Sequence, residues 1–299
     1  MAQDASLHGV HVPLVTPFTA NGGIAADALE GLAHAVLDGG ATGIVALGTT
    51  AETATLDADE RRSVIDVCAR VCRERSATLV IGAGSNDTRA TGAALAGLSR
   101  WPEAVGALVP VPYFSRPAEA GVLAHFTRLA ATTPVPLIVY HVPYRTGQPL
   151  GAVTLRALGR LPGIIGVKYA AGGIDQETVD FFGDPPADVA VLAGDDVFLG
   201  PLLALGATGG ILASAHLVTG RFAELVAAWR DGELAEARAL GPALAGLSAA
   251  VFAEPNPTVI KGVLHAQGRI PTPDVRLPLL AAGRDSVEAA LRRLAELGE

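Results

Sequence analysis

A chain of 299 residues, half of them apolar, is long enough to bury a sizeable core as one large domain or two average ones. Its formal charge of −8 at pH 7 argues against a nucleic-acid footprint, and no run of about eighteen uncharged apolar residues marks a membrane span. The N-terminus Met1-Ala-Gln-Asp-Ala has no basic region leading into an apolar stretch, so a soluble, cytoplasmic protein is expected.

Short apolar, β-branched runs alternate with helical patterns from the N-terminus onward. Strands are predicted at Val10–Thr16, Gly43–Leu47, Thr78–Gly82, Gly106–Val111, Leu137–His141, Ile164–Tyr169, Val189–Ala193 and Gly210–Ser214. Helical patterns between them run over Ala25–Asp38, Asp59–Glu74, Thr88–Leu98, Pro117–Ala131 and Leu155–Leu161. The strand interiors are almost continuously apolar, which suits strands covered on both faces. Eight alternating units over about 220 residues fit a (β/α)₈ TIM barrel of the α/β class better than an open doubly wound sheet. After Thr219 the patterns are helical only, near Arg221–Trp229, Glu233–Phe252, Thr258–Gln267 and Ser286–Leu297. The expected organisation is therefore a barrel carrying the active site over 1–220 and a C-terminal helical extension over 221–299.

All but two of the 22 basic residues are arginine. One of the two lysines, Lys168, sits inside the apolar run Gly163–Ala171. A guanidinium stays protonated, whereas a desolvated ammonium can lose its proton and become a nucleophile. Two plainer readings stand beside amine chemistry: a buried carboxylate partner, or a side chain that snorkels out of the strand end. Cys68 and Cys72, four apart in a predicted helix without a nearby histidine pair, read as packing residues. Gly82-Ala-Gly-Ser-Asn86 lacks the spacing of a dinucleotide or phosphate loop, and no metal, nucleotide or flavin motif is visible, so no cofactor is expected.

In such a barrel the active site lies at the C-terminal strand ends. Strand two ends in Gly48-Thr-Thr-Ala-Glu52, rich in hydroxyls and backbone donors; strand four ends in Pro112-Tyr-Phe-Ser-Arg116. Strand five ends in Tyr140-His-Val-Pro-Tyr-Arg-Thr-Gly147, strand six carries Lys168, and strand seven ends in Gly194-Asp-Asp196. Each has a plainer alternative. Thr49 and Thr50 suit caps of the next segment, Arg145 a surface ion pair, His141 a satisfied structural histidine, and Asp195 and Asp196 a helix start. An amine on one strand and a phenol on its neighbour nevertheless form a working pair. Lysine attacks a keto group to give a carbinolamine and then an imine, while a tyrosine hydroxyl relayed by a threonine moves the protons. With an arginine to clamp a carboxylate, the substrate class is a 2-keto acid.

These residues, with Val15-Thr-Pro-Phe18, Gly166-Val-Lys168, Asn256-Pro-Thr-Val-Ile-Lys261 and Val275-Arg-Leu-Pro278, resemble the family of dihydrodipicolinate synthase and N-acetylneuraminate lyase nearly end to end. The resemblance implies that Lys168 forms the Schiff base, that Tyr140 donates and accepts protons, and that Thr49 belongs to the relay. It further implies that Thr50 and its backbone hold the pyruvate carboxylate, that Leu212 lines the pyruvate pocket, and that Arg145 binds the carboxylate of aspartate semialdehyde. The reaction implied is condensation of pyruvate with aspartate 4-semialdehyde to 4-hydroxy-tetrahydrodipicolinate. The small-molecule partners are thus a 2-keto acid and an aldehyde, and a homo-oligomer, dimer or tetramer, is expected.

The chain departs from the family pattern at three places. Ala51 replaces a glycine, adding a methyl group and disfavouring positive φ. His141 replaces an asparagine. Phe114 stands where the family has the tyrosine that crosses the dimer interface to complete the relay. Ala58 and Arg61 stand where regulated members carry histidines, which argues against lysine feedback. Arg145 favours the synthase; Phe114 and Ala51 favour a paralogue, namely a 2-keto-3-deoxy sugar acid aldolase or dehydratase or an N-acetylneuraminate lyase-like enzyme. A pocket-retaining regulatory protein without turnover is a third reading.

Overall fold

The structure, a computed structural model, describes residues 7–298; the Met1-Ala-Gln-Asp-Ala segment and Glu299 lie outside the described residues. Strands Gly9–Pro13 (β1), Gly43–Ala46 (β2), Thr78–Gly82 (β3), Ala104–Pro110 (β4), Leu137–His141 (β5), Ile164–Tyr169 (β6), Ala190–Ala193 (β7) and Gly209–Ile211 (β8) follow in chain order round a closed parallel barrel. This is the (β/α)₈ architecture the alternating pattern predicts. No helix among the described residues is long and apolar enough to cross a membrane.

Contacts divide the chain into two compact units, one built on Thr78–Ile211 and the other on Gly9–Ala77 and Leu212–Glu299. In the first, β3 to β8 pair with their neighbours in parallel register. Their cores are buried almost throughout: Leu79, Val80, Ile81, Leu137, Ile138, Val139 and Val167 are fully excluded from solvent. Two helices of more than a single turn in this unit escape the sequence patterns, Gln176–Gly183 and Leu199–Ala204. Both are under nine residues, too short for a helical period to declare itself. The first is started by Asp175 and Thr178, each side chain holding the other's backbone N–H.

In the second unit β1 pairs β2, with His11 opposite Gly43 and Pro13 opposite Val45. Helices Ala26–Asp38 and Ala58–Arg75 precede and follow the β2 turn, and the C-terminal helices Thr219–Asp231, Leu234–Val251, Thr258–Ala266 and Arg284–Glu296 belong to the same unit. Helix Ala58–Arg75 begins at a capping box in which Asp57 accepts from the Asp59 and Glu60 amides while Glu60 accepts from Asp57. Removing such a cap costs about 1 kcal/mol. Cys68 and Cys72 are buried on its inner face and unbridged, in keeping with packing roles.

Candidate active site

Strand alternation decides which side chains of β5 and β6 share a face. Tyr140 stands opposite Lys168, and His141 opposite Tyr169. Tyr169 stacks on Phe181 of the helix Gln176–Gly183, packs edge-on against Phe182, and shares a 2.9 Å hydrogen bond with Thr178. His141 lies 5.5 Å from the Tyr169 ring. That pair therefore faces the surrounding helices, and period two turns Tyr140 and Lys168 the other way, toward the barrel axis.

Both inward residues are buried, Lys168 to 6 % and Tyr140 to 6 % exposure. The Lys168 Nζ lies 4.3 Å from the centroid of the Tyr140 ring. Burial brings the Lys168 ammonium down to about 8, against the opposing pull of Asp196, Tyr144 and Asp195, while Arg145 pushes it further down. The snorkelling reading of Lys168 fails on this geometry, because the side chain stays buried. Asp196 and Asp195 are the carboxylates whose charge bears on its nitrogen.

Gly194 follows β7 and lies directly against this lysine. A Cβ at that position would stand 2.9 Å from both Cγ and Cε of Lys168 and from the Ala170 Cβ. Glycine is needed for space here, not for an unusual backbone angle. Gly194→Ala is expected to displace the Lys168 chain and lower kcat/KM for the keto acid about 10²-fold, the scale of an ångström-level misplacement. Normal kinetics in that variant would show that the close approach is unimportant.

Asp195 precedes a 3₁₀ turn, Asp196–Phe198, as a helix-start residue should, yet its side chain does not cap it. Instead Oδ2 accepts the Gly172 amide at 2.6 Å. Burial pushes its carboxyl up, opposed by the Gly172 amide and by the charges of Lys168 and Arg145. Arg145 sits on the single helical turn Pro143–Thr146 that follows β5. It is exposed, and its Nε donates to Tyr144 Oη at 3.1 Å, not to a surface carboxylate.

In the other unit the β2 end forms a 3₁₀ turn, Thr49–Ala51, bounded by left-handed Leu47 and Glu52. Neither threonine acts as a cap. Thr50 is buried and accepts a 2.9 Å hydrogen bond from Asn256 Nδ2 on its Oγ1; Thr49 is exposed. The leading N–H groups of such a turn have no acceptor within it. The methyl of Ala51 is accommodated because the positive φ falls on Glu52, at 55°, and not on Ala51. Leu212 follows β8, is fully buried, and donates its amide to the His11 carbonyl at 3.0 Å.

The same unit holds a charged network to which sequence patterns assign no role. Glu52 and Lys261, 5 % and 0 % exposed, pair at 2.8 Å. Lys261 Nζ also donates to the Thr16 carbonyl at 2.9 Å and sits 4.0 Å from the Phe18 ring centroid. Arg276 donates its amide to Glu52 Oε2 at 2.7 Å, while its guanidinium holds the Glu60 carboxylate and the Thr55 carbonyl. Hydrogen bonding to Arg276 keeps Glu60 down at about 2. Breaking a buried pair such as Glu52–Lys261 by removing one partner costs about 3–5 kcal/mol. A signal was present in the sequence, because Lys261 is the chain's only other lysine.

His141 is buried, and burial lowers it to about 4, so it is neutral; its Nδ1 finds no hydrogen-bond partner, which differs from a satisfied structural histidine. Phe114 is 89 % exposed at φ 67°, in a loop whose Arg116 also has positive φ and donates to the Gly147 carbonyl at 2.6 Å. Among the described residues no group of three or more His, Cys, Asp or Glu side chains is gathered as metal ligands.

The profile of the dihydrodipicolinate synthetase family matches residues 6–296. The 4-hydroxy-tetrahydrodipicolinate synthase of Nitratidesulfovibrio vulgaris (strain Miyazaki F) is 39 % identical over 275 residues, covering 91 % of this chain and 92 % of the relative. That of Moorella thermoacetica is 37 % identical over 288 residues, covering 95 % and 96 %. Among solved structures, the chloride-inhibited dihydrodipicolinate synthase of Acinetobacter baumannii in complex with pyruvate is 32 % identical with a TM-score of 0.92, covering 98 % of this chain and 99 % of that one.

Proposed function

The chain belongs to the dihydrodipicolinate synthetase family, and from that premise we propose that it condenses pyruvate with aspartate 4-semialdehyde to 4-hydroxy-tetrahydrodipicolinate through an imine on Lys168. The observation that carries this is the buried Lys168 side chain lying over the Tyr140 ring at a strand end, its ammonium brought down to about 8 by burial. The neutral amine attacks the keto carbon to give a carbinolamine, and loss of water gives the imine. Loss of a methyl proton then gives the enamine that attacks the aldehyde carbon. Tyr140 is the group that moves protons to and from oxygen, with Thr49 in its relay. Thr50 and the turn amides take the pyruvate carboxylate, Leu212 supplies an apolar wall, and Arg145, whose Nε donates to Tyr144 Oη, clamps the carboxylate of the aldehyde.

The protein is further read as cytoplasmic and as a dimer or tetramer. The exposed Phe114 ring, held at a strained backbone angle, supports burial against another copy of the chain. The same residue favours the second reading, an enzyme that uses another aldehyde or a 2-keto-3-deoxy sugar acid, since phenylalanine carries no hydroxyl for a relay.

A coupled assay with pyruvate and aspartate semialdehyde, read through a downstream reductase, tests the acceptor directly. Robust turnover is expected; none, with Lys168 still trapped by pyruvate and borohydride, would move the assignment to another acceptor. The pH profile has a definite sign. With Lys168 at about 8, only about a tenth of it is neutral at pH 7. The kcat/KM for pyruvate should therefore climb with pH and level off above about 8. A profile flat from pH 6 to 9 would contradict a free-amine nucleophile at Lys168.

A further inference from the structure

We propose that Lys261, Glu52 and Asn256 form a positioning set that presents the Thr50 hydroxyl and the turn Thr49–Ala51 to the carboxylate of the keto acid, a role that rests on the reading of Thr50 given above. These residues make no contact with reacting atoms and act through Thr50.

In a chain that uses arginine almost everywhere for charge, position 261 is lysine and fully buried. A compact ammonium has three donors around one nitrogen, whereas a guanidinium is a wide planar fork. The surroundings match the first shape. Nζ meets Glu52 Oε1 at 2.8 Å, the Thr16 carbonyl at 2.9 Å and the face of Phe18.

Each partner leads back to the same turn. Glu52 is the residue that closes it: its amide donates to the Thr49 carbonyl at 3.2 Å, and its own backbone is left-handed. A non-glycine residue persists in that conformation when its surroundings over-determine it. Here both carboxylate oxygens are engaged, Oε1 by Lys261 and Oε2 by the Arg276 amide. Thr16, whose carbonyl Lys261 holds, donates its hydroxyl to the Ala51 carbonyl at 2.8 Å. The turn is thus fixed from the Lys261 side at its last residue, Ala51, and at Glu52, which closes it.

Asn256 acts on the middle residue. It lies two positions before helix Thr258–Ala266, which carries Lys261, and its amide nitrogen donates to Thr50 Oγ1. A hydroxyl has one hydrogen and two lone pairs. With a lone pair engaged by Asn256, the hydrogen is left to point at an incoming anion. Helix Thr258–Ala266 and its leading segment therefore set both the place of the turn and the sense of its hydroxyl. A buried ion pair adds little net stability over an apolar pair of the same volume, which fits a role in conformational specificity.

The test compares wild type with the charge-free double variant Glu52→Gln/Lys261→Met and with Asn256→Ala, which leaves the ion pair in place. KM for pyruvate, KM for the aldehyde, saturating kcat, the thermal midpoint and borohydride trapping of Lys168 are measured for each. The expected result is a rise in KM for pyruvate of about tenfold or more, with saturating kcat and the aldehyde KM within about threefold of wild type. Lys168 should still be trapped at saturating pyruvate. A lowered thermal midpoint with KM for pyruvate within about twofold of wild type would overturn the proposal, because these groups would then be structural only. If the double variant does not fold, Asn256→Ala decides by the same criterion. Wild type that fails to trap pyruvate would instead overturn the imine reading itself, whereas trapped wild type with unmoved KM overturns only this inference.

Discussion

Lys168→Arg is expected to abolish turnover, to below about a thousandth of wild type, while leaving a folded protein. The substitution keeps positive charge in the site but removes the group that can be neutral and nucleophilic, since a guanidinium stays protonated. Folding should survive because the neighbourhood already tolerates a cation. Asp195 and Asp196 both draw Lys168 toward its charged form, and the Tyr140 ring offers its face. Circular dichroism and the thermal midpoint check the fold, and the coupled assay checks turnover. Activity within tenfold of wild type would remove Lys168 from the chemistry.

Tyr140→Phe separates the ring from its hydroxyl. The phenylalanine ring can still lie beneath the Lys168 nitrogen, as the tyrosine ring does at 4.3 Å, so the amine's environment is largely preserved. What is lost is the group assigned to proton transfer, and kcat should fall about 10²–10⁴-fold, the range for a positioned acid–base group. Pyruvate should still label Lys168 under borohydride, more slowly than in wild type. A variant that keeps more than a tenth of wild-type kcat would transfer the proton role to another group near Lys168, with Tyr144, which interacts electrostatically with that nitrogen, the first candidate.

The two expectations rest on features that differ in how visible they are in the sequence. Lys168 and Tyr140 were legible because each interrupts an apolar strand, and alternation then fixes their common face. Strands Thr78–Gly82, Leu137–His141 and Ile164–Tyr169 stand where the apolar runs predict. The first strand stops short of its expected span: it ends at Pro13, where the pattern predicts Thr16. Past that point the Val15 amide is taken by His216 Nε2 instead of a neighbouring strand.

Asp195 shows a different limit. Its place before a turn is visible in the sequence, but the partner its carboxylate chooses, the Gly172 amide, is 23 positions away. Lys261 illustrates the same limit. Within Thr258–Ala266 it reads as one polar residue of an apolar helix, and nothing local announces Glu52, 209 positions earlier. Gly194 is silent in sequence too, because its reason is the volume of a side chain on the adjacent strand. Long-range side-chain partners and steric vacancies are set by the assembled barrel, while strand runs and breaks in their apolarity are written locally.

The most direct test of the central claim is to incubate the wild-type protein with pyruvate and borohydride, then measure intact mass and map the modified peptide. One reduced pyruvyl adduct per chain, located on Lys168, is the predicted result. An unchanged mass, or an adduct confined to Lys261 or the N-terminal amine, would contradict the assignment of Lys168 as the imine-forming residue.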